Sequence, residues 1–387
     1  MPSFNNRARL LVAAILLAAP ACGGNTPVPT GGSNPSPDFV RTASAVESTD
    51  TTSILKKLKK DVEIGSTVDS KNGDTGPRAI SLVHSTFVLK KGQLLVCNFE
   101  DSAGAAGKGT TIEVFDPKPK SRPRTFVQSS KIEGCVGNAA TVANDVYGAG
   151  MASGIAAQFE PTSKLQYSYG SPIEEPLDDV DASCGLAYAP EDIYVSDAKT
   201  GGVIKLAKPP VSSGRALETQ VISGFAVNKG SGWSALGPSG IQYNATRIGT
   251  LCNDTLYMVD GVDNTVVAIS NASQLLEKDE IVVEPGGKKF KCRYASKTCA
   301  ALVYSGSPLN GPVAQALLPN GNLIIANTKG GNTLVELTPT GKVLATKTID
   351  TNKSADIFGL LAEGTDDSNT VLFYTDTSTN TLQELEQ

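Results

Sequence analysis

Histidine is almost missing from this chain: its 387 residues include one, His84. A single imidazole excludes any site built on two, such as the H-E-x-x-H zinc helix. No G-x-S-x-G elbow occurs, so a Ser-His-Asp triad would depend on His84 with no recognisable serine to serve. No C-x-x-C occurs either, which argues against thiol redox catalysis and zinc ribbons. Tryptophan is also single (Trp233), and aromatic residues make up 6% of the chain. Charge is balanced: 34 Lys+Arg against 39 Asp+Glu leave a formal net charge of -5 and no long basic run. Nucleic acid is therefore not the expected partner. After the N-terminal region no apolar run approaches the roughly 18–20 residues that span a bilayer.

The N-terminus reads as an export signal over residues 1–21. Arg7 and Arg9 form a basic start, and Leu10 to Ala19 is an apolar run too short to span comfortably. It ends A-P-A-C at Cys22, which resembles a bacterial lipoprotein box, with Ala19 where leucine is usual. The expectation is a lipid on Cys22 and a place in the periplasm or at the cell surface, on the outer membrane if the cell is Gram-negative. Residues 22–52 include GGNTPVPTGGSNPSP, too poor in apolar groups to offset ordering, and read as a tether. Residues 53–75 form a lead-in. Within it SILKKLKK (53–60) places Ile54, Leu55 and Leu58 on one face of a short helix.

Removing Cys22 from the seven cysteines leaves Cys97, Cys135, Cys184, Cys252, Cys292 and Cys299. In an oxidising compartment an even count suggests disulfides, and connectivity among six is open. Cys292–Cys299 is the safest pair, because K-C-R-Y-A-S-K-T-C closes a short polar loop.

Residues 76–387 are repetitive. DIYVSDAKTGGVIKL (192–206), TLYMVDGVDNTVVAI (255–269), NLIIANTKGGNTLVEL (322–337) and VLFYTDTSTNTLQEL (371–385) share one grammar. A β-prone run ends in Asp or Asn, polar turn residues follow, and a second β-prone run returns. Weaker copies lie at 92–117 and 145–161. The anchoring positions are Asn98, Gly150, Asp197, Asp260, Asn327 and Asp376. They recur at about the length of a propeller blade, with insertions. An apolar run precedes most hairpins: GPRAISLV (76–83), CGLAYAP (184–190), GPSGIQYN (237–244) and GPVAQALLP (311–319). An edge-strand candidate follows most of them, as at 219–225 and 342–350. Six units of three or four short strands predict an all-β, six-bladed β-propeller. The units resemble NHL-repeat propellers, whose repeats carry a G-x-A / L-Y-V-A-D / N-R-V grammar. That resemblance covers most of the mature chain, is weakest at Gly150, and implies fold far more than activity.

Candidate chemistry is sparse. Repeat symmetry arranges Asn98, Asp197, Asp260, Asn327 and Asp376 in a ring whose oxygens could hold Ca²⁺ or another divalent cation. The competing reading is that each bonds its own turn. Glu174, Glu175, Asp178, Asp179 and Asp181 crowd one inter-blade loop, read as solvated. SAGAAGKGTT (102–111) fails the phosphate-loop pattern, because Ser102 stands where glycine is required and Gly109 where Ser or Thr is. Trp233 lies in a Gly/Ser-rich insertion, with Tyr243 and Tyr257 as companions for stacking on a ligand.

The reading is a non-catalytic, envelope-anchored, monomeric propeller whose loops bind a protein, peptide or glycan, with no cofactor expected. The alternative is a lactonase- or esterase-like hydrolase resembling the gluconolactonase group. There a central divalent metal on Asn98, Asp197, Asp260 and Asn327 would activate water.

Overall fold

The computed structural model describes residues 52–387 apart from 171–176, 180–192, 208–216, 229–235, 249–250 and 351–353. Trp233, Cys22, Cys184 and most of the acidic loop lie outside the described residues. Tight turns and short alternating runs fold into six sheets, the blades of a propeller.

The chain enters on β1 (Lys60–Ser66). Blade I is β2 (Thr75–Leu82), β3 (Leu94–Glu100), β4 (Thr111–Phe115) and β5 (Arg124–Gln128). Blade II is β6 (Cys135–Ala140), β7 (Val146–Gly150), β8 (Ile155–Phe159) and β9 (Leu165–Gly170). Blade III begins with β10 (Leu177–Asp179), β11 (Ile193–Asp197), β12 (Gly202–Ala207) and β13 (Leu217–Ser223). Blade IV is β14 (Pro238–Ile248), β15 (Leu251–Asp260), β16 (Thr265–Ser270) and, after an excursion through β17 (Ile281–Val283) and β18 (Phe290–Cys292), β19 (Cys299–Ser305). Blade V is β20 (Pro312–Leu317), β21 (Leu323–Asn327), β22 (Asn332–Leu337) and β23 (Val343–Asp350). Blade VI is β24 (Ile357–Glu363), β25 (Val371–Asp376) and β26 (Thr381–Glu386), completed by β1.

Two connections depart from simple repetition. β1 pairs antiparallel with β26, so the first strand closes the last blade and joins the chain's two ends. Thus Lys60–Ser66, part of the lead-in by pattern, belongs to the sheets. The β17–β18 hairpin leaves blade IV and extends blade III, β17 running parallel to β13. Cys292–Cys299 closes its base as expected, with Cα atoms 5.3 Å apart. A second disulfide, Cys97–Cys135, joins β3 of blade I to β6 of blade II.

The core is divided among the blade interfaces. Strand side chains alternate between the two faces of a sheet, so Leu95 and Cys97 pack toward blade II while Leu94 and Val96 pack toward blade VI. Tyr257 and Val259 face blade V, and Leu256 and Met258 face blade III. The remaining clusters join blades II to III and V to VI. No blade buries both faces without two neighbours, which is why the ring must close.

Residues 53–58 make a tight turn rather than the expected short helix. Eight residues are too few to hold a helix, and Glu336 captures the segment instead. Its buried carboxylate accepts hydrogen bonds from Ser53 Oγ and the Ile54 and Leu55 N–H groups. Ile54, Leu55 and Leu58 are buried as the pattern required. Blade II is regular despite its weak signature. Gly150 stands there because a Cβ would meet Glu133 O at 2.7 Å.

Candidate functional site

Each inner strand starts at one end of the propeller, here the entry end, and runs to the exit end. Turns joining the second and third strands of a blade also lie at the entry end, and the Asp/Asn positions sit beside them. Asp197 Oδ1 accepts the N–H groups of Lys199 and Thr200. Asp260 Oδ1 accepts those of Val262 and Asp263, and Asp376 Oδ1 those of Ser378 and Thr379. Asn98 Nδ2 donates to Thr67 O and Thr111 Oγ1. Asn327 Nδ2 donates to Pro308 O and Thr333 Oγ1. The choice between acid and amide follows the preceding loop. The Asn residues stand where that loop offers a carbonyl, Thr67 O to Asn98 and Pro308 O to Asn327. Burial pushes Asp260 up to about 6, the Val262 and Asp263 N–H groups pulling against it.

Their neighbours carry the blade-to-blade link. The D-x-x-x-N-T turns at 260–265 and 376–381 place Asn264 and Asn380 at φ 53° and 54°. Asn264 Oδ1 accepts the Gly311 N–H of blade V, and Asn380 Oδ1 accepts the Gly76 N–H of blade I. Asn332 and Asp356 clasp each other across blades V and VI. These repeated polar residues therefore build and join blades. Among the described residues no three His, Cys, Asp or Glu side chains converge on a metal-sized point. Of the four expected ligands, Asp197, Asp260 and Asn327 end their strands and Asn98 lies two residues before the end of β3, each in a different blade.

The axis itself is pinched. A cavity of about 20 Å³ is lined by Ala79, Gly240, Ala314, Gln315, Phe358 and Gly359, from strands on opposite sides of the ring. A Cβ on Gly240 would meet Ala314 Cα at 2.9 Å, so small residues let the inner strands close on one another. That cavity has room for about one water.

At the entry end five inner strands carry a β-bulge close to their start. A bulge re-aims the extra side chain. The bulged positions are Arg78, Val136, Gly240, Val313 and Phe358–Gly359. Only one of them is charged. The half-buried Arg78 guanidinium lies 3.8 Å from the Phe99 ring centroid and 4.2 Å from that of Phe358. Two aromatic faces hold its plane, and a held fork suits a carboxylate or phosphate. Beside it, burial raises Glu100 above the usual carboxylate range, with Arg78 opposing. Arg78 lies within GPRAISLV, and its charge where other inner-strand openings carry Ser or Val was the signal available in sequence.

The same end carries an open groove of about 510 Å³, walled by Ser307–Asn310 on one side and Lys329–Gly330 on the other. Asn327 sets this wall, since it receives the Asn310 N–H and donates to Pro308 O. Of the aromatic candidates, Tyr257 is 1% exposed and sealed in the core, its hydroxyl pushed up to about 12 by burial. That burial keeps it from a ligand. Tyr243 is half-buried and bonds Asp254 within its own blade. His84 follows β2 at the exit end, where it opposes the upward shift that burial gives Glu363.

The chain is a six-bladed β-propeller. No protein-family model matches it, and no curated protein does. Solved structures similar to it include virginiamycin B lyase from Staphylococcus aureus, at 12% identity over 85% of this chain and 99% of that one (TM-score 0.44). A gluconolactonase-type propeller shares 10% identity over 86% and 94% (TM-score 0.49). A Bacteroides thetaiotaomicron protein of unknown function shares 12% over 84% and 74% (TM-score 0.46).

Proposed function

We propose that this is a non-catalytic binding propeller of NHL-repeat type that takes a peptide or glycan at its entry end. The observation supporting the proposal is an open polar groove at the entry end, next to inner strands of blades I, IV, V and VI that leave only a cavity of about 20 Å³ between them. A hydrolase of the gluconolactonase type needs ligands and substrate to meet on the axis. Of the described inner strands, those of blades I, IV, V and VI carry Arg78, Gly240, Gln315 and Phe358 near their starts, and carboxylates stand in β10 of blade III (Asp178, Asp179) and at the exit end of β24 (Glu363). A binding module needs only a shaped surface with polar groups at its rim. We further propose export and a lipid on Cys22. Two disulfides fit an oxidising compartment, and among the described residues no helix is long and apolar enough to cross a membrane.

Peptide and glycan arrays test the reading. The native protein should retain a defined set of ligands that Asn310→Trp, which fills the groove, and Arg78→Ala both lose. Arg78→Lys keeps the charge without the fork and should weaken anionic ligands selectively. Binding indifferent to Asn310→Trp and Arg78→Ala would place the site elsewhere.

A further inference from the structure

We infer that the exit end of the propeller docks on an anionic lipid bilayer. The strongest sign is a built apolar tip. Phe87 is 76% exposed, Val88 52% and Val142 50%, high values for large apolar residues in this protein. They come from two neighbouring loops, each joining the first and second strands of its blade. Soluble surfaces seldom group such residues without use.

The tip is held by the chain beneath it. Asn144, fully buried and at φ 66°, accepts the Leu89 N–H at 3.1 Å and donates to Ser85 O at 3.0 Å. Ser85 Oγ donates in turn to Val142 O, which ties the loops together. Thr86 Oγ1 receives the Lys91 N–H, and Leu89 is buried as the anchor. A tip fixed in this way loses little freedom when it is covered.

What surrounds the tip selects the occupant. Lys90 and Lys91 are exposed on the same loop, and Lys120 and Arg122 are exposed on the adjoining loop of blade I. Gln93 Nε2 to Asp116 Oδ1, at 3.0 Å, joins those two loops. On blade IV the exit-end excursion also exposes Leu276, at 70%, there beside both Glu277 and Lys278. At the Phe87 tip, exposed apolar residues flanked by four exposed cations, on a chain of net charge -5, match an interface of acyl chains beneath anionic headgroups.

The course of the chain agrees. β1 starts at the exit end, and Ser53 to Leu55 are fixed there by Glu336. The start of the described chain therefore lies at the docking end. The entry end, with its groove and Arg78, faces away from the bilayer.

Vesicle sedimentation tests this with the full chain carrying Cys22→Ser, so that no acyl chain contributes. The probes are phosphatidylcholine vesicles with and without about one-third phosphatidylglycerol. Preference for the anionic vesicles should fall as salt rises. Lys90→Glu/Lys91→Glu should lower that partition by more than about tenfold, each lysine near the surface being worth about fivefold. Phe87→Ser/Val88→Ser should weaken binding at high salt, where the apolar contact dominates. Lys108→Glu/Lys131→Glu makes the same charge change at the entry end and should bind as the native chain does. Equal binding by all variants, or an equal loss in the entry-end control, overturns the inference. So does a native dimer that Phe87→Ser dissolves in sedimentation velocity, which would give the tip to a second copy of the chain.

Discussion

Replacing Glu113 with glutamine should make the protein more stable at alkaline pH. Glu113 lies on β4, fully buried, and neither of its oxygens meets a hydrogen-bond donor. Its partner is the Asp69 carboxyl, already satisfied by the N–H groups of Lys71 and Asn72, both at 2.7 Å, and by Thr125 Oγ1. Two carboxyl groups can share such a site only if one keeps its proton. Burial first, then Asp69, push Glu113 up to about 9. Asp69 falls to about 2, its hydrogen bonds outweighing desolvation. The consequences have opposite signs. For Glu113 the folded state holds a proton that the unfolded chain releases near the ordinary value of 4.5. Its stabilisation is therefore complete below that value and declines as pH rises toward 9, by about 1.4 kcal/mol per pH unit. For Asp69 the contribution is present above 3.8 and lost as pH falls toward 2.

Glutamine keeps the shape, presents an amide N–H to Asp69, and does not titrate. Urea unfolding followed by circular dichroism at pH 5, 6.5 and 8 measures the effect. Glu113→Gln should match the native chain within about 1 kcal/mol at pH 5 and exceed it by about 3–4 kcal/mol at pH 8. Parallel stability curves with a constant gap would refute the reasoning, because they would mean that Glu113 does not change its proton occupancy on unfolding.

Further outcomes follow from the same structure. Asp260, raised to about 6 by burial, adds to the decline above pH 4, so the native melting temperature should be higher at pH 5 than at pH 8 by scanning calorimetry. Asn380→Ala removes the bond to Gly76 and strains a residue at φ 54°. It should cost about 2 kcal/mol in urea unfolding, and Asn380→Gly about 1, since glycine tolerates that backbone. Leu256→Ala at the interface of blades III and IV should cost about 2–5 kcal/mol by the same assay. Cys292→Ser/Cys299→Ser should make residues 284–298 a site of limited proteolysis while the blades stay intact, as mass spectrometry of the fragments would show.

The hairpins were legible in sequence because each is local. A run ending in Asp or Asn, a polar turn and a returning run meet within about 15 residues. Cys292–Cys299 was legible for the same reason. The turn role of Asp197, Asp260 and Asp376 was one of two open readings, and their bonded N–H groups lie two or three residues downstream. Non-local features were not legible. β1 closes blade VI against a strand at the far end of the chain, and KDVEIGS carries no sign of that partner. The Arg78 clamp depends on a bulge, which is a property of register between two strands and not of composition. Its two rings come from β3 and β24. The bonds of Asn264, Asn332 and Asn380 into the next blade were not legible either, because they require the ring.

The central claim is that the protein binds rather than hydrolyses. Metal content of the purified protein, with thermal unfolding measured with and without EDTA, tests it most directly. The account predicts no stoichiometric divalent metal and one melting temperature under both conditions. A tightly held Ca²⁺ or other divalent ion, with a melting temperature that EDTA lowers, would contradict it and favour the hydrolase.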